Sequence, residues 1–158
     1  MPNLERTLVI IKPDAVNRGL VGEIIHRFER KGLDIVGIKM KYLQDKELKE
    51  HYAHHKGKPF FKNLVDFMKH APSILMVVEG VGAIEAVRFL AGSTYGLEAD
   101  PGTIRGDFSM SKSNNIVHAS DSVENAQVEI KRFFNKDEIF TYKRIDWQEV
   151  YSLEEQSI

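Results

Sequence analysis

The 158 residues include no cysteine, so neither a disulfide framework nor a thiolate zinc site can form. The longest uninterrupted aliphatic run, Ile74 to Val78, has five residues, far short of the roughly 20 a membrane helix needs. An excess of one charge is missing too. Lys and Arg number 22 against 23 Asp and Glu, for a net charge of −1, which argues against blanketing nucleic acid or anionic lipid. Met1 to Arg6 has no apolar run of the kind that opens a secretory leader, and no Asn-X-Ser/Thr acceptor occurs. These absences lead us to expect one cytoplasmic domain spanning residues 1–158, with no membrane partner and no specific nucleic acid.

Familiar phosphate signatures are absent as well. No G-x-x-x-x-G-K-[ST] occurs, and Gly80-Val81-Gly82 lacks the third glycine of a dinucleotide fingerprint. The glycine-rich loop, H-R-D and D-F-G set of protein kinases is missing. So is an RNP-type basic-Gly-aromatic strand. What remains is a globular composition, 42% hydrophobic and 28% charged.

Along the chain, Arg6 to Lys12 carries β-formers and stops at Lys12-Pro13-Asp14. Leu20, Val21, Ile24, Ile25 and Phe28 recur at helical spacing, closed by Gly32. Val36, Ile38, Met40 and Tyr42 alternate with Gly37, Lys39 and Lys41, which reads as a strand whose lysines form the solvated face. Gln44 to His55 is a short polar helix, and Pro59 at N1 opens another from Phe60 to Lys69. Ser73 to Glu79 is a buried-type strand, and Ala83 to Ala91 a helix ended by Gly92. Residues 93–113 form a long loop without a sustained period, and such loops are usually functional. Ile116 and Val117 form a short last strand. Ser120, Asp121 and Ser122 are N-cap types, with Glu124 placed for a capping box on Asp121, and Val123, Ala126, Ile130 and Phe134 follow at helical spacing. From Asn135 onward the tail reads as irregular, anchored by Trp147.

The order β-α-β-(α)-β-α-β implies an α+β fold, a ferredoxin-like βαββαβ sandwich with helices on a four-stranded antiparallel sheet. A doubly wound parallel sheet is the runner-up.

Candidate chemistry collects at the ends of these elements. Lys12 ends the first strand, Arg88 lies off the apolar stripe of its helix, Thr94 follows Gly92, and Arg105 sits in the long loop. These are parts that a polyphosphate clamp would use. His51 with His55 at i, i+4 could chelate zinc if a third ligand came from elsewhere. The neighbouring Lys49, Lys56 and Lys58 favour a solvated helix face instead. His118, at a strand-to-helix junction, can itself serve as a nucleophile if its ring is oriented. Ser120 and Glu129 on the following helix are placed to do that. A non-catalytic nucleotide-binding or regulatory module with the same topology is the alternative.

The octamer Asn115-Ile116-Val117-His118-Ala119-Ser120-Asp121-Ser122 resembles the signature N-x-x-H-[GA]-S-D of the nucleoside diphosphate kinases. Glu5-Arg6-Thr7-Leu8, Ile11-Lys12-Pro13-Asp14, Gly22-Glu23-Ile24-Ile25, Lys58-Pro59-Phe60-Phe61 and Pro101 to Phe108 are similar to further family segments, in order, from about residue 5 to 134. The resemblance implies transfer of the γ-phosphoryl group of a nucleoside triphosphate, ATP above all, to a nucleoside diphosphate through a phosphohistidine at His118. It implies broad base and sugar tolerance. Position by position, Lys12, Tyr52, Arg88, Thr94, Arg105 and Asn115 would meet phosphates or ribose. Phe60 would stack on the base with Leu64 nearby, Ser120 and Glu129 would orient His118, and Asp121 would reach Mg2+ through water. It also implies a homo-oligomer, a hexamer or a tetramer. Departures from the family pattern are Lys112 beside the base, Ser113 and Asn114 before Asn115, His54 in place of an acidic residue, and Gly96 in place of a loop proline.

Overall fold

Successive side chains of β1 (Leu4–Ile11) point to opposite faces, and in its second half both faces are buried. Leu8 and Ile10 join one apolar cluster while Val9 and Ile11 join another. The first strand therefore runs through the middle of the molecule. In the computed structural model, which describes residues 3–157, β1 is flanked by β3 (Ser73–Val81) and β4 (Val117–Ala119), and β2 (Asp34–Lys41) lies beyond β3. Every pairing is antiparallel and the order is β2-β3-β1-β4. This is the expected ferredoxin-like sandwich; the parallel alternative fails because among the described residues no strand pair is parallel.

Helices cover both faces. On the Val9 and Ile11 side, α2 (Val21–Lys31) buries Ile24 and Phe28, and α5 (Ala83–Ala91) buries Val87. On the Leu8 and Ile10 side lie α3 (Asp45–His51), α4 (Phe61–Lys69) and α7 (Val123–Phe133), contributing Leu48, Met68 and Phe133. The expected stripe of α7 holds for Ala126 and Ile130. Val123 at its first turn is exposed, and Phe134 has left the helix as its C-cap.

Four local expectations are corrected. First, the alternation of β2 is interrupted by a bulge: Ile35 pairs with Val78 and Gly37 with Val77, leaving Val36 as the extra residue. Past the bulge the pattern inverts. Ile38 and Met40 are exposed, whereas Lys39 and Lys41 are half-buried in ion pairs with Glu138 (2.7 Å) and Glu47 (2.5 Å). Second, the cap of α7 is Ser122, whose Oγ accepts the N–H of Asn125 at 3.1 Å. There is no capping box on Asp121, and Ser120 turns inward instead. Third, α4 starts at Phe61 with Phe60 as N-cap, so Pro59 lies outside the helix; the proline that does occupy a first helical turn is Pro13, opening the short α1 (Pro13–Asn17). Fourth, the long loop contains α6 (Ile104–Phe108), which Thr103 caps by accepting the N–H of Gly106.

Gly96, one of the departures, has a steric reason. A Cβ there would sit 2.3 Å from the carbonyl oxygen of Ser109. The loop folds back on itself too closely for any side chain. Among the described residues the tail carries a short α-helix, α8 (Trp147–Val150), between two 3-10 turns, Lys136–Glu138 and Glu155–Ser157. Half-buried Trp147 packs at 4.3 Å on Tyr151, whose hydroxyl accepts the Val81 N–H at 3.1 Å.

Candidate active site

The chain reaches His118 through a strained turn. Ile116 has φ +75°, and the N–H of Val117 bonds the carbonyl of Asn115 at 2.8 Å, closing a γ-turn. A buried β-branched residue in this region persists only when its surroundings hold it there. Here the N–H of Ile116 donates to Asp14 Oδ2 (3.1 Å), and its carbonyl accepts from Lys12 N (2.9 Å). The turn thus rests on the segment that ends β1 and opens α1. His118 follows on β4, paired with Ile10.

Its ring is held from one side. His118 Nε2 lies 3.0 Å from Glu129 Oε2, and Ser120 Oγ donates to the same oxygen at 2.5 Å. An ionised carboxylate only accepts, so Nε2 carries the proton and Nδ1 is left with a free lone pair. Burial works to raise the Glu129 carboxyl. The hydrogen bonds from His118 and Ser120 outweigh it and leave the group below its ordinary value, so it stays ionised. Ser120 also accepts the N–H of Leu8 at 3.3 Å, tying α7's leading segment to β1.

The residue after His118, Ala119, lines a cationic cleft of about 310 Å³ together with Arg88, Gly92, Thr94 and Arg105. Arg88 and Thr94 are exposed on it. Arg105 is buried and already donates to three carbonyls: Nε to Asn115 (3.1 Å), Nη1 to Gly92 (2.8 Å) and Nη2 to Val117 (2.7 Å). Two of its five N–H groups remain for a ligand. Burial, then the nearby Arg88, lower its pKa to about 10. Lys12 is buried, with Nζ donating to Asn115 Oδ1 at 2.6 Å. Burial, with Arg105 adding to it, brings Lys12 down to about 8. The Asn115 amide nitrogen donates to the carbonyls of Thr94 (2.9 Å) and Lys112 (3.1 Å), so this side chain links the cleft's walls. An anion entering the cleft would relieve the Lys12–Arg105–Arg88 repulsion.

The remaining candidates divide. Tyr52 is buried, its hydroxyl has no hydrogen-bond partner, and burial, with Glu129 adding, raises its pKa. Phe60 is 44% exposed with the His55 ring at 5.1 Å, and Leu64 is half-buried behind the same helix start. Asp121 is exposed and held below its ordinary value chiefly by Asn125, which donates at 2.6 Å. It is a hard, ionised oxygen donor, and the sole carboxylate among the proposed ligand-contacting positions. Such a donor set fits a divalent ion that keeps its waters and takes its other ligands from phosphates. Lys112 and His54 are exposed.

The solvated reading of the histidine cluster holds for His54 alone. His55 is half-buried, and the helix ends at His51 before a 3-10 turn, Ala53–His55, so the i, i+4 pair for zinc does not form. His51 is 5% exposed and its ring lies edge-on to that of His118, centroids 4.5 Å apart. His51, His118 and Glu129 each offer a ligand atom within 4.8 Å of the others. Two contacts are already made by these side chains, His118 Nε2 to Glu129 Oε2 and His51 Nδ1 to Arg132 Nη1 at 3.2 Å. Arg132 and Asp14 are residues that sequence reasoning missed, and His51 was singled out there only as a zinc candidate. His51 lies three residues after buried Leu48, but a seven-residue helix is too short for its sequence to show which face is buried.

The nucleoside diphosphate kinase family model matches residues 5–139. A nucleoside diphosphate kinase of Parabacteroides distasonis is 56% identical over 152 residues, covering 96% of this chain and 99% of the relative. Among solved structures, a halophilic nucleoside diphosphate kinase from Halobacterium salinarum in complex with CDP superposes with a TM-score of 0.92 at 43% identity, covering 94% of this chain and 99% of that one. A transition-state mimic of the Borrelia burgdorferi nucleoside-diphosphate kinase with bound vanadate and ADP gives 0.85 at 40% identity, covering 90% and 94%.

Proposed function

Because the chain belongs to the nucleoside diphosphate kinase family, we propose that His118 is the residue that carries the phosphoryl group between nucleotides. The reaction is phosphotransfer from a nucleoside triphosphate to a nucleoside diphosphate. The observation that supports His118 most strongly is the 3.0 Å bond from its Nε2 to Glu129, which leaves Nδ1 unprotonated. Nδ1 attacks the terminal phosphorus of the triphosphate, and the bond to the bridging oxygen breaks with its electron pair leaving on the diphosphate. The ring's positive charge is met by Glu129. A second diphosphate then attacks phosphorus in the reverse sense and restores the free ring.

The transition state spreads charge over the equatorial phosphoryl oxygens, so the protein's task is positioning and charge. Lys12, Arg88 and Arg105 supply cationic donors, with Tyr52, Thr94 and Asn115 beside them toward phosphate and ribose. Removing one such donor costs on the order of 10²–10³ in rate. Phe60 offers a π-face to any base, with Leu64 behind it, which suits broad tolerance. The family generally uses a divalent metal; Asp121 would hold Mg2+ here, through water, and the ion would supply neutralising charge at the phosphates.

ATP serves as the main donor, in the cytoplasm, and the 158 residues act as one domain. Among the described residues no helix is long and apolar enough to cross a membrane. Ile38 and Met40 stand exposed on edge strand β2, and Tyr42 just beyond its end, which favours a homo-oligomer, hexamer or tetramer. The test is to mix the chain with Mg2+ and γ-labelled ATP. Acid-labile, alkali-stable label that a nucleoside diphosphate removes is expected, and none is expected with His118→Ala. No label on folded protein would sink the reading.

A further inference from the structure

We propose that His51 is a positioning residue for the nucleophile: its Nδ1 occupies Arg132 and so keeps that guanidinium off the Glu129 carboxylate that orients His118. This rests on the phosphohistidine reading above. Arg132 cannot accept a hydrogen bond, so at 3.2 Å from its Nη1 the His51 Nδ1 must be the acceptor and Nε2 the protonated nitrogen. The His51 Nε2–H has no hydrogen-bond partner and lies among the rings of Tyr52, His118 and Phe133, at centroid distances of 4.7, 4.5 and 5.2 Å.

The carboxylate between them is open to theft. Glu129 gives Oε2 to both His118 and Ser120, while Oε1 sits 3.9 Å from His51 Nδ1, too far for a hydrogen bond. Two competitors could claim Oε1. One is Arg132, one helical turn on from Glu129. The other is His51 itself in its Nδ1–H tautomer. The observed pairing holds both off at once: the Arg132 Nη1 donor is directed at the lone pair that the unwanted tautomer would lose, while its Nε faces Glu50 Oε1 at 3.9 Å. Burial first, then the charges of His118, Arg132, Lys12 and His54, hold His51 neutral. It therefore brings no proton of its own to the carboxylate. A guanidinium bonded directly to Glu129 would weaken the Nε2 anchor and let His118 take the proton on Nδ1, the atom that must attack.

The geometry makes an unusual prediction of mutual suppression. His51→Phe keeps the ring but frees Arg132; Arg132→Gln frees the His51 Nδ1. Each alone lowers kcat about 10–100-fold, the size expected for loss of a partner behind an active-site imidazole, with nucleotide KM unchanged. The double variant removes both competitors and recovers most of the rate. His51→Gln, which retains an acceptor for Arg132, does so too. ¹⁵N resonances of His118 report the cause directly: Nε2–H in the wild type and the double variant, a mixture with Nδ1–H in the two impaired singles. A purely structural role would leave the double variant no better than its worse parent, and that result would overturn the proposal. So would an Arg132→Gln single with wild-type rate and tautomer, a comparison that stands even if His51→Phe does not fold. Should the wild type form no phosphohistidine, the underlying reading fails instead, and the two failures are told apart by the labelling control.

Discussion

Asp14 Oδ2 accepts the backbone N–H of Ile116 at 3.1 Å, across 102 residues of chain. That bond holds a non-glycine residue at φ +75°, one residue before the strand that carries His118. A backbone conformation of this kind costs about 1–3 kcal/mol, and the turn keeps it because Asp14, Lys12 N and Arg105 bond its three successive residues. Removing the acceptor leaves a buried N–H unsatisfied. Asp14→Ala should therefore lose about 1–3 kcal/mol in urea unfolding and slow phosphoenzyme formation as the turn relaxes. Asp14→Asn, which keeps an oxygen in place, should lose less of both. Equal stability of Asp14→Ala and wild type would mean that the turn does not depend on this bond.

Lys12 gives a pH dependence with a definite sign. Burial and Arg105 lower its pKa to about 8 in the ligand-free chain, so above pH 8 the clamp loses a charge. A bound triphosphate favours the protonated amine, and binding above pH 8 should take up close to one proton. Nucleotide affinity should then be level below pH 8 and fall towards tenfold per pH unit above it. Lys12→Gln should be weaker at every pH and show little of this slope. Calorimetry in buffers of different ionisation enthalpy measures the uptake; a flat affinity from pH 7 to 9.5 would contradict it.

His51 governs acid stability in the opposite direction. Its pKa is about 2 in the fold, lowered first by burial, against roughly 6.5 in the unfolded chain. Between those values the unfolded chain binds a proton that the folded chain does not. Stability is then whole above pH 6.5 and falls as pH drops, by up to about 1.4 kcal/mol per unit, or about 2 kcal/mol by pH 5. His51→Gln removes the titrating group and should flatten that part of the stability curve. A curve unchanged by the substitution would show that other groups set acid unfolding.

The same histidine shows where sequence reading stops. The strands and the long helices were legible because period-two and period-3.6 patterns follow directly from which faces are buried, as β1, α2 and α5 show. Lys12, Arg88, Thr94 and Arg105 were legible as cations and hydroxyls at element ends, and the fold does bring Arg88, Thr94 and Arg105 onto one cleft. His51 was not, because a three-turn period cannot be established on a seven-residue helix. The burial of its last turn depends on α7, which lies far along the chain. Asp14 escaped for a similar reason: its partner is a backbone N–H, which no side-chain pattern reports. The inversion along β2 comes from one extra residue at Val36, and a bulge resets alternation without leaving a mark in composition.

That inversion supplies the last prediction. Past the bulge, Ile38 and Met40 point away from the α3 and α7 face, and each is more than half exposed. β2 is an edge strand, with β3 on one side and, among the described residues, no strand on the other. An exposed apolar edge of this kind promotes pairing with a second copy, whereas an inserted charge opposes it. Ile38→Glu and Met40→Glu touch no residue of the phosphate cleft, and their side chains already face outward. If β2 is the contact between copies, either variant should keep the folded chain but shift its mass in sedimentation toward the monomer, and the double variant should do so further. Lys39→Glu tests the other face: it would place two carboxylates together by opposing Glu138, lowering stability by about 1 kcal/mol without a change in mass. A wild-type oligomer that survives Ile38→Glu/Met40→Glu intact would place the contact elsewhere on the molecule.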